Sequence, residues 1–300
     1  MKYNWSIIGH EKQLSMIEND IASGNLAHAY LLVGPNSVGK STVAKKMAGI
    51  LQCEKDFCHE CNTCLQIQRG SHIDTMELVD DKESIKIEEV RKIIERLSLT
   101  RQANYKILLI QCLERMTTEA TNSFLKTLEE PPEKTIFIMT TNNIKLLLPT
   151  IVSRVRVVKF LSVSTKYIEE KLRELFPNSD EDTVKKASLF SLGMTGKAMH
   201  LMENPDALSN YIKLYHDINN FLDHKNIVDR FSYVENILAD EGQVELFFNM
   251  MTHVLRSKIL EGATEADSYI KTLSKIDDAG MLLKKNVNPR LVLENLMLSF

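Results

Sequence analysis

No apolar run in this 300-residue sequence approaches the roughly 18 residues that a membrane-crossing helix needs, so no membrane association is expected. The opening segment, Met1 to Gln13, turns polar too early for a secretory leader, and the expected location is the cytoplasm. An excess of positive charge is missing too. The 37 Lys and Arg against 40 Asp and Glu leave a formal net charge of −3, which argues against coating nucleic acid by bulk charge and leaves local basic patches open. Internal repeats and low-complexity tracts are absent. A content of 44% hydrophobic and 26% charged residues is an ordinary globular balance that does not fit long disorder. A length of 300 residues, roughly two to three typical domains, predicts at least two structural units.

The first half alternates short apolar segments with amphipathic ones. Ala29 to Val33 reads as a strand, Lys40 to about Gln52 as a helix, and Met76 to Val79 as a second strand. Ile85, Val90, Ile93, Ile94 and Leu97 recur at helical spacing. Lys106 to Ile110 is a third strand, Glu119 to Leu128 a helix, and Thr135 to Met139 a fourth strand. Nearly all-apolar strands separated by helices predict an α/β domain with a parallel sheet covered on both faces. Beyond about Leu161 the strand signal vanishes and the chain reads as helical, with breaks near Gly193 and Gly196 and at Asn204-Pro205. The predicted division is 1–162, 163–204 and 205–300. In the last part Val244, Phe248, Met251 and Leu255 form an apolar stripe read mainly as core.

Gly34-Pro-Asn-Ser-Val-Gly39-Lys40-Ser41 fits the phosphate-loop pattern G-x-x-x-x-G-K-S/T between a strand and a helix. The glycines let backbone N–H groups face phosphate oxygens beside the positive end of a helix dipole. Gly34, Gly39, Lys40, Ser41 and Thr42 are therefore candidate nucleotide residues, with Lys40 reaching the terminal phosphates and Ser41 holding Mg²⁺. Hydrolysis also needs an acidic residue at the tip of a neighbouring strand. Asp80-Asp81 ends the second strand. The expected position, on the strand next to the phosphate-loop strand, is instead Ile110-Gln111-Cys112, which has no acid. Glu114 lies three residues beyond Gln111, an odd offset that on an extended strand points it to the opposite face. The expectation is a nucleotide loop, ATP/Mg²⁺ occupancy open, without its hydrolytic partner.

Four of the five cysteines, Cys53, Cys58, Cys61 and Cys64, are spaced C-x₄-C-x₂-C-x₂-C. In a reducing compartment this clustering reads as metal ligation. Four thiolates can close a tetrahedron around Zn²⁺ with no open position, a structural rather than catalytic site. An iron–sulfur cluster is the alternative, disfavoured because the Cys-Pro that often completes such runs is absent; unligated thiols are a third reading. His59 could substitute as a ligand, and Cys112 reads as a buried apolar residue.

The string Ala120 to Pro132, with its Leu125-Lys126-Thr-Leu128-Glu129-Glu130-Pro131-Pro132, resembles the signature helix and turn of bacterial clamp-loader subunits of the AAA+ class. So do His28 to Pro35, the cysteine insertion after the phosphate-loop helix, and Thr140-Thr-Asn142. Pro149-Thr-Ile-Val-Ser153-Arg154 is similar to the family's Ser-Arg-Cys motif, with Val155 in place of the cysteine. Asn288 to Glu294 resembles its last collar helix. The resemblance implies an AAA+ sheet domain, a small helical lid and an all-α collar, with five subunits in an open ring. It implies as partners the gamma/tau ATPase subunits and the delta subunit of DNA polymerase III, the sliding clamp, and primer–template DNA through the assembly. Asn142, in the matching Thr140-Thr-Asn142 motif, is a further candidate nucleotide residue, and Lys197 falls at the family's second sensor position, where Arg is usual. Arg154 would enter the ATP site of the next subunit as an arginine finger; an Arg paired with a local acid is the alternative. Within the family the missing acids at Gln111-Cys112 resemble the non-hydrolysing delta-prime kind more than gamma/tau, so no ATPase activity of its own is expected. A self-sufficient ATPase using Asp80-Asp81 or Glu114 is the main rival. A small-molecule kinase is a weaker one, since it leaves the helical C-terminal part without a role.

Overall fold

The computed structural model describes residues 2–78, 84–223, 227–238, 241–260, 266–285 and 287–298. Val79 and Asp80-Asp81 lie outside them. The chain runs α1 (Glu11–Ala22), β1 (Ala29–Val33), α2 (Lys40–Gln52), α3 (Asn62–Gln68), β2 (Thr75–Leu78), α4 (Ile87–Ser98), β3 (Lys106–Ile110), α5 (Thr118–Glu129), β4 (Thr135–Thr141), α6 (Pro149–Val152), β5 (Arg156–Lys159), α7 (Thr165–Leu175), α8 (Glu181–Phe190) and α9 (Thr195–Glu203). Five further helices follow: α10 (Pro205–Asp223), α11 (Ile227–Leu238), α12 (Glu241–Leu260), α13 (Ala266–Lys284) and α14 (Pro289–Met297). Short 3-10 turns at Leu113–Arg115 and Ile144–Leu146 follow β3 and β4.

Among the described residues five strands form one sheet in the order β2-β3-β4-β1-β5, every pairing parallel. The two-residue period of a strand distributes its side chains between two cores. Tyr30, Leu32, Ile107, Leu109, Ile136 and Ile138 face α1 and α2, where they meet Leu14, Ile17, Val43 and Met47. Ala29, Leu31, Leu108, Ile110, Phe137 and Met139 face the other way, toward Val90, Leu97, Phe124 and Leu128. Both faces are covered, which is why these strands read as unbroken apolar runs.

Two sequence expectations are corrected, and one strand is added. The strand beside β1 is β4, not β3, so the tip of β3 stands one strand further from the phosphate loop than chain order implied. Ile85 is not part of α4; it bridges to Met116, and its backbone bonds Arg115 and Thr117. The edge strand β5 went unread because basic residues occupy both its ends, leaving two apolar residues between them.

The chain forms two compact units: Met1–Ser179 with Gly193–Met199, and Asp180–Leu192 with His200–Phe300. In the second, α12 buries Phe247, Met250, Met251, Val254 and Leu255, while Val244 and Phe248 are only half-buried. The apolar face is thus turned slightly from the predicted stripe. Buried Arg230 of α11 donates to the carbonyls of Phe221 and Met297 at 2.7 and 3.2 Å. A cation there complements the negative ends of α10 and α14. Among the described residues no helix is long and apolar enough to cross a membrane.

Candidate nucleotide site and metal centre

β1 delivers the chain to Gly34, where a Cβ would come within 2.3 Å of the Phe160 carbonyl oxygen. No side chain fits there. Gly39, the residue capping α2, has φ 101°, a left-handed value that only glycine adopts without strain. Lys40 follows, buried, its Nζ donating to the carbonyls of Gly34 and Pro35 (both 2.7 Å) and to Asn142 Oδ1 (2.9 Å). Burial draws the Lys40 ammonium below its ordinary pKa, and nearby Cys112 and Glu114 pull it back up. Asn142, just past β4, thus touches the phosphate-loop lysine directly, and its N–H donates to Glu114 Oε1 at 2.9 Å.

Glu114 was expected on the wrong face, but the chain does not stay extended. Cys112 takes φ 51°, and the 3-10 turn after it brings Glu114 back to Asn142 and within electrostatic reach of Lys40. Its second oxygen, Oε2, is buried without a hydrogen-bond partner. Cys112 is likewise not the buried apolar residue expected; it is half-buried, 3.9 Å from Asn142 Nδ2. At the tip of β3, Gln111 Oε1 is 3.5 Å from Ser41 Oγ, and Gln111 Nε2 donates to Glu77 Oε1 at 2.6 Å. Lys45 pairs with Glu77 at 3.0 Å. Thr42 points outward and is exposed.

The first turn of α9 closes on the same loop. Thr195 Oγ1 donates to the Val38 carbonyl at 3.1 Å, and the Gly196 N–H to the Ser37 carbonyl at 2.8 Å. Lys197, half-buried, comes next in sequence. His10 Nε2 also bonds the Val38 carbonyl, at 3.2 Å, and its ring meets Phe160 edge-on. Sequence reasoning missed Glu77, His10 and Thr195, which no local pattern marks; chain folding alone brings them to the loop.

Arg154 follows α6, and its side chain is 37% exposed. Its guanidinium pairs with Glu129 at the end of α5 (2.7 Å) and donates to the Thr150 carbonyl (2.9 Å). The local acid that the sequence left as the alternative is present, and the arginine lies at the surface.

Cys53 caps the C-terminus of α2, and Cys61 caps the N-terminus of α3. The Sγ atoms of Cys53, Cys58, Cys61 and Cys64 all lie within 4.8 Å of one another, with Cys53–Cys58 and Cys58–Cys64 at 3.9 Å and Cys53–Cys61 at 3.8 Å. A tetrahedral ion with 2.3 Å bonds to sulfur separates its ligands by about 3.8 Å, so the four can hold one metal ion such as zinc. Backbone N–H groups point at the sulfurs, Lys55 to Cys53, Cys61 to Cys58 and Cys64 to Cys61. Burial raises the Cys53 thiol pKa, but hydrogen bonds from the backbone of Cys58, Lys55 and Phe57 outweigh it and bring it down to about 6. His59 is not a ligand here; its Nδ1 meets Gln68 at 2.7 Å and its ring leans on Phe57.

A parallel sheet of this order carrying a phosphate loop, with a helical C-terminal part, is an AAA+-type P-loop fold. A DNA polymerase III gamma subunit-related protein of Thermotoga maritima has the same fold, with a TM-score of 0.50 at 21% identity over 94% of this chain and 97% of that one. Residues 9–164, more than half of the chain, match the family described as DNA polymerase III, delta subunit. The chain belongs to this delta-subunit-like clamp-loader family. It is 30% identical over 218 residues to DNA polymerase III subunit gamma of Buchnera aphidicola subsp. Acyrthosiphon pisum, covering 70% of this chain and 60% of that one. It is 33% identical over 165 residues to subunit delta' of Bacillus subtilis, covering 54% and 50%. The chain thus spans less than two thirds of the length of these relatives.

Proposed function

We propose that this chain is a delta-prime-like subunit of a DNA polymerase III clamp loader, acting on ATP hydrolysis only in trans. The observation that carries the reading is the tip of β3, which offers Ser41 an amide where hydrolysing loops place a carboxylate. In this reading residues 1–162 are the AAA+ module, 163–204 its lid and 205–300 the collar that joins gamma/tau and delta subunits in a five-membered ring. The ring would load a sliding clamp on primed DNA. Zn²⁺ at the four cysteines would be purely structural, since no ligand position stays open.

The phosphate loop fits a magnesium nucleotide by its donor set: a left-handed Gly39, a cation in Lys40 whose partners are only neutral oxygens, and Ser41 at the start of α2. Gly34 and Gly39 shape the loop, Lys40 and Asn142 meet the phosphates, Ser41 meets the metal, and Thr42 and Lys197 flank them. Bound ATP would supply the phosphoryl group and Mg²⁺ its charge compensation. Arg154 would leave Glu129 for the neighbouring subunit's site. An exposed ion pair of this kind is worth at most about 1 kcal/mol, so its release is easy. An arginine finger is worth roughly 10³–10⁵ in rate. In the reconstituted loader, Arg154→Ala should therefore lower DNA- and clamp-stimulated ATPase by that order; wild-type turnover would remove the assignment.

A second reading, a gamma/tau-like ATPase, is favoured by the similarity to subunit gamma and by one feature of the site: Glu114 lies within electrostatic reach of Lys40 with an unpartnered carboxylate oxygen. Turnover by the isolated chain, abolished in both Lys40→Ala and Glu114→Gln, would establish it over the first.

A further inference from the structure

The amide of Gln111 is held from one side. Its Nε2 donates at 2.6 Å to Glu77 of β2, a carboxylate only 12% exposed and itself paired with Lys45 of α2. An amide whose NH₂ group is committed to a carboxylate turns its oxygen the other way, and here that oxygen faces Ser41 Oγ at 3.5 Å. The reversed amide would set two acceptors against each other beside Glu77, a mismatch costing about 1–3 kcal/mol. Ser41, Lys45, Glu77, Gln111 and Thr140 pack around one narrow gap too small for a water molecule.

Resting on the nucleotide-site reading above, we propose that Glu77 is a positioning residue for magnesium. Through Gln111 it presents an amide oxygen beside Ser41, and the two oxygens together seat the Mg²⁺ of a bound nucleotide. Their 3.5 Å separation is near the ~3 Å between neighbouring ligands of a six-coordinate ion with 2.0–2.1 Å bonds. The negative charge that hydrolysing loops carry on this strand tip is displaced one strand outward, to β2, where Lys45 answers it. The metal keeps an oxygen at the tip of β3, but that tip holds no group able to take a proton from water. The arrangement separates holding a magnesium nucleotide from hydrolysing it.

The test is binding of a fluorescent ADP to the full chain, with Mg²⁺ and with EDTA; the read-out is the ratio of the two affinities. The unaltered protein should bind more tightly with Mg²⁺. Glu77→Ala should shrink the ratio by about tenfold, the size expected when a partner that orients a metal ligand is lost. Glu77→Gln can still accept from the Gln111 amide and should retain most of the ratio. Gln111→Leu, which tests the same oxygen without touching β2, should lose it, and Gln111→Glu should enlarge it. Thermal melts of each variant report folding. An unchanged ratio in Glu77→Ala and Gln111→Leu overturns the proposal, as does equal loss in Glu77→Ala and Glu77→Gln, which would make charge rather than positioning the cause. No binding by the unaltered protein in either condition overturns the nucleotide-site reading and this proposal with it. Mg²⁺-dependent binding indifferent to Glu77 overturns this proposal alone.

Discussion

Helix α2 carries a site at each end, and the two are built on opposite principles. At its C-terminus all four sulfurs come from a stretch of twelve residues, Cys53 to Cys64. At its N-terminus the phosphate loop is completed by β3, β4, α9 and the segment before α1, so that Lys40, Asn142, Gln111, Thr195 and His10 meet only once the sheet has formed. A local site depends on its ligand for order; a dispersed one depends on the fold. Phe57 ties the metal segment back to the helix: its ring occupies the space where a Cβ at Gly49 would come within 2.2 Å.

This contrast can be broken most sharply at the metal end. Elemental analysis of the unaltered chain should find one ion; Cys61→Ser should abolish tight metal binding and open residues 53–68 to proteolysis. A closed zinc site contributes on the order of 10 kcal/mol to the order of its own segment. The same variant should leave the sheet folded, because neither apolar core of the sheet draws on that segment's ligands. Collapse of the whole module would erase the distinction between the two ends. Next in size, Gly34→Ala at the loop end forces backbone apart at β5, and thermal melts should show a loss of about 3 kcal/mol. Phe57→Ala, which cuts the half-buried tether, should cost about 2 kcal/mol while sparing metal content.

The smallest effect expected is on pH. His10 is buried against the loop, and burial holds its pKa below the ordinary 6.5. The unfolded chain then takes up a proton at a pH where the folded chain does not. Stability is full above about pH 6.5 and declines as pH falls toward the folded value. Urea midpoints measured between pH 7.5 and 5 should show this decline, and His10→Asn should flatten it. His72, also buried and lowered, contributes in the same direction, as does the lowered Cys53 thiol where no metal holds it, so part of the decline survives the substitution.

Legibility in the sequence followed the same division. Strands β1 and β3 and helix α2 were readable to the residue, because a strand covered on both faces is an uninterrupted apolar run and the glycines of the loop are required by its backbone. The cysteine cluster was readable because its members are neighbours. The surroundings of Lys40 were not. The opposite face expected for Glu114 holds only for an extended strand, and nothing in Gln111-Cys112-Leu113 announces the left-handed turn at Cys112. Glu77 passed unremarked because its importance lies in a hydrogen bond to the next strand, which strand order alone determines. The Glu129–Arg154 pair was available only as one of two options, since twenty-five positions separate its members.

Lys40 is already occupied. With two carbonyls and an amide satisfying its ammonium, the loop competes with any incoming anion for its own cation. A lone phosphate, offering few replacement contacts, is at a disadvantage against that internal rival, whereas a polyphosphate can engage the lysine and the backbone donors together. Any anion that engages Lys40 therefore has to replace those three oxygens.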